Sequence, residues 1–284
     1  MRVRRRQAMV SLRQSIDNQA DAIGRDRFPL LPVTAVGLIL VFLAAPWPLD
    51  QKAHLLLHGL CAQRPSHSFW LGERVLPFDA RMTGIYGGFL GAGIYLAFKH
   101  RWRAAALPSW TTLLVLAGFV GLMGADGVNS FLVDAGAWHL YTPDNRLRLL
   151  TGLMTGIALA TALAFLVGIT IWRAPLLSRR VVASPWEPWL MLGCQAPLAL
   201  AILSGSAWLY APITLALVAS ATVVISLLAL VVVVLVRGTD HAFGSVRHLH
   251  GYGTVALLVG VLVMMGFAGA RLVLERVLNV PPLT

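Results

Sequence analysis

Long apolar runs constrain the fold of this chain more than any other feature. Spans of a hydrocarbon core need about 20 helical residues, and only helices or closed β-barrels satisfy their backbone hydrogen bonds there. Barrel strands would alternate apolar and polar residues, whereas these runs are apolar all round. We therefore predict an all-α, polytopic transmembrane helical bundle of about seven spans. The predicted spans are Leu30–Leu49, Thr83–Phe98, Leu107–Ala125, Leu147–Trp172, Trp189–Leu209, Ile213–Val236 and Tyr252–Leu272.

The composition supports a membrane protein and argues against nucleic-acid binding. Charged residues are 12% of the chain, about half of the ~25% found in soluble domains. The formal net charge is +11, but the basic residues lie in short segments between the apolar runs instead of on one soluble domain. In such positions they orient helices relative to the membrane. We expect membrane lipid and other membrane subunits as partners, and no nucleic acid.

Lys and Arg residues divide unequally between alternate segments. Fifteen of the 23 lie on the side of the N-terminus. The positive-inside rule then predicts a cytoplasmic N-terminus in a multi-pass protein of the cytoplasmic (inner) membrane. Residues 1–29 form a basic cytoplasmic tail or an interfacial helix, residues 30–172 a four-span core with an outer polar segment at 50–82, and residues 173–284 a three-span C-terminal half.

Glycines and one proline predict details of the bundle. Small residues four positions apart let helix backbones approach in lipid, and Pro197 is expected to kink the fifth span because proline lacks a backbone N–H. The glycine pairs are Gly84 with Gly88, Gly87 with Gly91, and Gly152 with Gly156.

The outer polar segment contains a candidate metal site. His54, His58 and Cys61 share one helical face at spacings of four and seven residues, and imidazole and thiolate are good ligands for a transition metal such as zinc. A fourth ligand would come from the same side of the membrane. The alternative is that the histidines lie at a wet interface and Cys61 packs as a small apolar residue. The candidates for the fourth ligand are His67, Asp79, Asp126 and His139.

A second polar group follows the third span. Asp126 ends an apolar run, where a carboxylate needs a partner. Arg81, Arg146 and Arg148 are the candidates, and we favour Arg81. Arg146 and Arg148 are also suited to an anionic headgroup, whereas Asp144 is typical of a helix N-cap.

The order of these motifs resembles that of a membrane protein family, domain of unknown function 2085. Its pattern runs Cys-His-Gln, Arg-Ser-Phe, Pro-Leu-Cys-Ala-Arg and Thr-Gly-Ile-Tyr-Gly, and the resemblance covers about residues 49–160. Two departures, Ala62 for the family histidine and Asp79 for its second cysteine, remove a two-cysteine redox site. The matching segments are Cys61–Gln63, His67–Phe69, Pro77–Arg81, Thr83–Gly87, Asp126–Ser130 and Asn145–Gly152.

These observations predict a membrane protein that binds a metal ion or an anionic small ligand at its outer face. One alternative is a metal-assisted membrane hydrolase or transferase with Asp126 or His139 as general base. Another is an accessory structural subunit of a larger membrane complex. The predicted ligand-binding residues are Arg81, Tyr86, Asp126, Asn129, Asn145 and Arg146, and the predicted metal ligands are His54, His58, Cys61 and Asp79.

Overall fold

The computed structural model describes residues 29–278, so the predicted tail helix lies outside the described residues. The described part is mostly helical. Its helices are α1 (Leu30–Ala44), α2 (Leu49–Leu57), α3 (Ala80–Phe98), α4 (Trp110–Asp134), α5 (Asn145–Thr170), α6 (Glu187–Cys194), α7 (Ala196–Leu203), α8 (Tyr210–Val236) and α9 (His250–Val277). Short 3-10 turns occupy Pro65–His67, Ala207–Leu209 and Val246–Leu249.

Four helical segments within residues 29–278 are long and apolar enough to cross a membrane: Trp110–Asp134, Asn145–Thr170, Ala207–Val236 and Val246–Val277. The other predicted spans fall on α1, on α3 and on the α6–α7 pair. Since α1 and the α6–α7 pair are shorter apolar helices, the predicted count of about seven spans is not confirmed.

Prolines explain where the predicted first and fifth spans differ from the helices. The first span was predicted to reach Leu49, but α1 ends at Ala44, ahead of Pro46 and Pro48. The predicted fifth span breaks at Gln195, between α6 and α7, with Pro197 in the first turn of α7. Because proline donates no backbone hydrogen bond and restricts the residue before it, each helix stops or restarts there. The kink predicted at Pro197 is thus confirmed as a break.

The predicted helical class is confirmed in that the described residues are mostly helical, with four short strands in addition. Strands β1 (Ser68–Leu71) and β2 (Arg74–Asp79) form an antiparallel hairpin inside the outer polar segment. Its turn contains Gly72 at φ +63°, a conformation that glycine adopts without a Cβ clash. Strands β3 (Ala104–Ala106) and β4 (Leu176–Arg180) pair in parallel. Both sheets lie in the segments between apolar runs, where hydrophobic length predicts no secondary structure.

The connecting segments gather alternately at two ends of the bundle. At one end, which we call the site end, Arg64 pairs with Asp134 and the N–H of Gly72 donates to the carbonyl of Gly205. At the opposite end, the indole of Trp172 donates to the carbonyl of Trp102. Exposed tryptophans mark both ends, as expected for side chains at membrane–water boundaries. They are Trp47, Trp70, Trp138 and Trp208 at the site end, and Trp110, Trp186 and Trp189 at the opposite end.

Candidate functional site

A close crossing of α3 and α5 brings two arginines together at the site end. A Cβ atom built on Gly84 would lie 2.8 Å from Gly152 Cα, and one built on Gly152 would collide with the carbonyl oxygen of Arg81. The two backbones are therefore in direct contact, as the glycine spacing predicted. Arg81 and Arg148 occupy the first turns of these two helices, so the crossing places them side by side.

The two arginines line a cavity of about 220 Å³. Its walls come from residues 62–79, which include the β1–β2 hairpin, from the first turns of α3 and α5, and from the last turns of α4. The cavity combines three guanidinium groups with two carboxylates, one imidazole and one hydroxyl. The lining residues are Ala62, Arg64, His67, Asp79, Arg81, Gly127, Ser130, Phe131, Asp134 and Arg148.

Arg81 forms the predicted ion pair with Asp126. Its Nη2 atom lies 2.6 Å from Asp126 Oδ2, and the Asp126 side chain is only 2% exposed. The other carboxylate oxygen accepts a hydrogen bond of 2.8 Å from the Tyr141 hydroxyl. Burial, together with the hydrogen bond to Asp126, raises the pKa of Tyr141 to about 12, so the phenol stays protonated and donates. Both oxygens of Asp126 are therefore engaged.

Arg148 is buried without a carboxylate partner among the described residues. It is 6% exposed, and its Nη1 and Nη2 atoms donate to Asn145 Oδ1 at 2.8 Å and to Ser130 Oγ at 3.4 Å. Arg81 Nη2 lies 3.5 Å from the same hydroxyl, and Arg81 Nε is buried with no hydrogen-bond partner in residues 29–278. Two guanidinium groups thus flank Ser130, and of these two only Arg81 has a carboxylate within ion-pair distance among the described residues.

Four further polar residues line the cavity: Arg64, His67, Asp79 and Asp134. Arg64 and Asp134 form an ion pair of 2.9 Å, but their side chains are 51% and 44% exposed, and such pairs contribute at most about 1 kcal/mol. Asp79 accepts a hydrogen bond of 2.8 Å from the N–H of Met82 and caps α3. Burial and the charge of Arg148 lower the pKa of His67, so its imidazole is neutral at pH 7.

Of the six predicted ligand-binding residues only Arg81 lines the cavity, and Asn129, Asn145 and Tyr86 lie around it. Asn129 accepts from the N–H of Leu140 and donates to the carbonyl of Tyr141, each at 2.8 Å. This folds the loop that carries the Tyr141 hydroxyl to Asp126. Asn145 holds Arg148 and donates to the carbonyl of Ser66. Tyr86 is buried and stacks on the ring of Phe78, with centroids 4.7 Å apart.

The sequence named both Arg146 and Arg148 as suited to an anion and kept Arg146 among the ligand-binding residues, whereas the structure places Arg148 in the cavity. Arg146 is exposed and absent from the lining. A signal for Arg148 exists in the sequence. Arg148, Gly152 and Gly156 follow one another at intervals of four residues, so the arginine continues the glycine face that packs on α3. Ser130 was also missed, although it follows Asp126 and Asn129 on the same helix.

His58 is fully engaged by other side chains. Its Nδ1 atom lies 2.8 Å from Gln63 Oε1 and its Nε2 atom 2.8 Å from Glu275 Oε2. The Gln63 amide nitrogen donates to the carbonyls of His54 and Pro77, which fixes its oxygen toward His58. Both ring nitrogens of His58 are therefore within hydrogen-bonding distance of a side-chain oxygen. A metal ion would have to displace one of these partners.

Cys61 is held as a thiol. It is 7% exposed, and its sulfur accepts from the N–H groups of Gln63 and Asp79. Burial, with the negative charge of Asp79, raises the pKa of Cys61 to about 12, so no thiolate is present at neutral pH. His54 Nδ1 contacts the carbonyl of Asp50 at 2.8 Å. Among residues 29–278, no group of three or more His, Cys, Asp or Glu side chains is arranged to hold a metal ion, and zinc binding stays a prediction.

Arg271 on α9 hydrogen-bonds to the backbone that follows α2. Arg271 donates to the carbonyls of His58 at 2.7 Å and Ala62 at 3.2 Å, and also to that of Cys61. Its Nε atom donates to Glu275 at 2.7 Å. The C-terminal helix therefore supports the backbone that forms the rim of the cavity.

Part of the chain matches a known protein family. No curated protein and no solved structure matches the chain. A family model described as Predicted membrane protein (DUF2085) matches residues 61–162, in agreement with the resemblance found in the sequence. All the residues that line the cavity fall inside this range. The cavity is thus built entirely from the part of the chain that matches the predicted membrane protein family DUF2085.

Proposed function

We propose that the protein binds an anionic group, a phosphate or a carboxylate, in the cavity beside Arg148. The observation that carries this proposal is the buried guanidinium of Arg148, which has no carboxylate partner among the described residues. Keeping an ion out of water without a counter-ion costs several kcal/mol. A bound oxyanion supplies that counter-ion, and a guanidinium presents paired N–H groups that match the oxygens of phosphate and carboxylate.

The arrangement around Ser130 supports this proposal. Arg81 and Arg148 approach the Ser130 hydroxyl from two helices, and an oxyanion at this point would receive hydrogen bonds from both. The cavity of about 220 Å³ is equivalent to about seven waters at ~30 Å³ each, which is room for a phosphate group with a substituent. The neutral imidazole of His67 adds a polar group without further charge.

We also propose which side of the membrane the cavity faces. We propose seven membrane crossings with the N-terminus in the cytoplasm, which puts the cavity at the outer face of the cytoplasmic membrane. The alternation of the connecting segments between two ends supports this topology, as do the 15 of 23 Lys and Arg residues on the N-terminal side and the exposed tryptophans at both ends.

Labelling of introduced cysteines tests the topology. In a Cys194→Ala background, an impermeant maleimide added to intact cells should label Ser66→Cys at the site end. Asp240→Cys at the opposite end should be labelled only after lysis. Both positions are exposed. The reverse pattern would place the cavity in the cytoplasm.

Binding to the purified protein tests the function. Isothermal titration in detergent should detect inorganic phosphate or acetate, and Arg148→Met should weaken the affinity by about 10- to 100-fold, since hydrogen bonds to charged groups contribute about 1.5–3 kcal/mol. Arg146→Met is the matched control because it removes the same charge two residues away, outside the cavity. Its affinity should stay within about twofold of the parent.

Two results would overturn the proposal. One is that neither anion binds to the parent protein at millimolar concentration. The other is that Arg148→Met and Arg146→Met weaken binding equally, since binding would then depend on overall charge instead of on the cavity.

A further inference from the structure

A second, larger cavity lies at the same end of the bundle. Its volume is about 640 Å³. Its lining includes the polar side chains of His54, Gln63 and Glu275. It also includes the exposed rings of Trp47 and Trp70, together with Leu55 from α2 and Leu272 from α9.

A thin partition separates the two cavities. Residues 62–65 form it, and their side chains alternate between its faces. Arg64 lines the first cavity, whereas Gln63 and Pro65 line the second. The backbone of Arg64 is extended, at φ −69° and ψ 123°, which sends successive side chains to opposite sides. Ala62 lines both cavities and is exposed, so the two spaces adjoin at this residue.

We infer that the two cavities form one site for an anionic amphiphile, with its phosphate or carboxylate head beside Arg148 and its apolar body against Trp47, Trp70 and Leu272. This inference rests on the proposed function, because the anion cavity supplies the head site. Two observations carry it further. Ala62 lines both cavities, and the larger one is lined by exposed tryptophans at the site end of the bundle, where such side chains mark the level at which the head of a membrane amphiphile meets its tail.

The chemistry of the head does not distinguish a lipid phosphate from a soluble phosphate ester. The apolar cavity makes that distinction, because burial of alkyl groups there would favour the amphiphile. Each buried methylene multiplies affinity by about fourfold. A ligand with three additional methylenes should therefore bind about 60-fold more tightly if its chain occupies the second cavity.

The experiment compares methyl phosphate with butyl phosphate on the purified full-length protein by isothermal titration. We expect butyl phosphate to bind tens of times more tightly than methyl phosphate. Leu272→Asn should remove most of this preference while leaving the affinity for methyl phosphate unchanged. Val273→Asn is the matched control, since this neighbour on α9 is 61% exposed and lies outside the cavity. It should keep the preference.

A second variant keeps the inference testable if Leu272→Asn fails to fold. Ala62→Leu enlarges an exposed side chain at the junction of the two cavities, and it should also reduce the preference for butyl phosphate. If methyl phosphate binds and butyl phosphate binds within threefold of it, or if Leu272→Asn and Val273→Asn behave alike, the inference is wrong and the protein takes a soluble anion. If neither phosphate binds, the proposed function itself fails.

Discussion

The packing of α3 on α5 gives the sharpest test of how this fold builds its site. We expect Gly152→Ala to destabilise the protein by separating the two helices. The new Cβ would lie 2.9 Å from Gly84 Cα and 3.1 Å from the Ile85 nitrogen, and it would collide with the carbonyl of Arg81. Ordinary van der Waals contacts lie at 3.4–4 Å, so relief requires the backbones to separate by roughly 1 Å.

The magnitude follows from two opposing effects. Overpacking of a tight contact costs about 1–3 kcal/mol, whereas replacing glycine by alanine inside a helix gains about 1 kcal/mol. Gly121 on α4 provides the control, because a Cβ built there meets nothing within 4 Å. Since Gly121→Ala receives the same helical gain without the collision, the two variants should differ by about 1–3 kcal/mol in free energy of unfolding.

Reversible unfolding in mixed micelles, followed by tryptophan fluorescence, measures this difference. Because the collision involves the carbonyl of Arg81, Gly152→Ala should also weaken phosphate binding, while Gly121→Ala should not. Equal unfolding free energies for the two variants, within about 0.5 kcal/mol, would show that the close backbone contact does not hold the two arginines together.

Two further predictions concern groups with displaced pKa values. In Cys194→Ala protein at pH 7.5, maleimide should modify Cys61 only after denaturation, since a pKa of about 12 in place of 9.0 reduces the thiolate about a thousandfold; rapid labelling of the folded protein would contradict this. The pKa of His67 lies below its ordinary 6.5, so below about pH 6.5 the unfolded chain binds a proton that the folded one resists, and stability falls. His67→Gln should reduce that fall in unfolding measurements between pH 7 and 5.5, and an unaltered pH dependence would count against the environment described for His67.

The helices and one ion pair could be predicted from the sequence for clear physical reasons. Apolar runs define helices in lipid, and a carboxylate at the end of such a run needs a partner, which made the pair of Asp126 with Arg81 predictable. The length of each span was less predictable, because prolines shorten α1 and divide α6 from α7.

The candidate metal cluster shows where sequence spacing stops being informative. The spacing of His54, His58 and Cys61 assumed one continuous helix, but α2 ends at Leu57. The partner that occupies His58 is Glu275, 217 residues away, and no local pattern reveals such a contact. Arg148 was among the sequence candidates for an anion, and its spacing from Gly152 and Gly156 was a further signal that it lies on the face of α5 that packs on α3. The adjoining cavities, by contrast, depend on tertiary contacts that no spacing reveals.

The position of a bound oxyanion decides whether the buried arginine forms an anion site. We suggest crystals of the protein grown with selenate, a tetrahedral anion that resembles phosphate, and anomalous diffraction at the selenium edge. We expect a peak within hydrogen-bonding distance of Arg148 and Arg81, beside Ser130, that disappears in Arg148→Met and persists in Arg146→Met. A peak elsewhere, or one that survives in Arg148→Met, would contradict an anion site at the buried arginine.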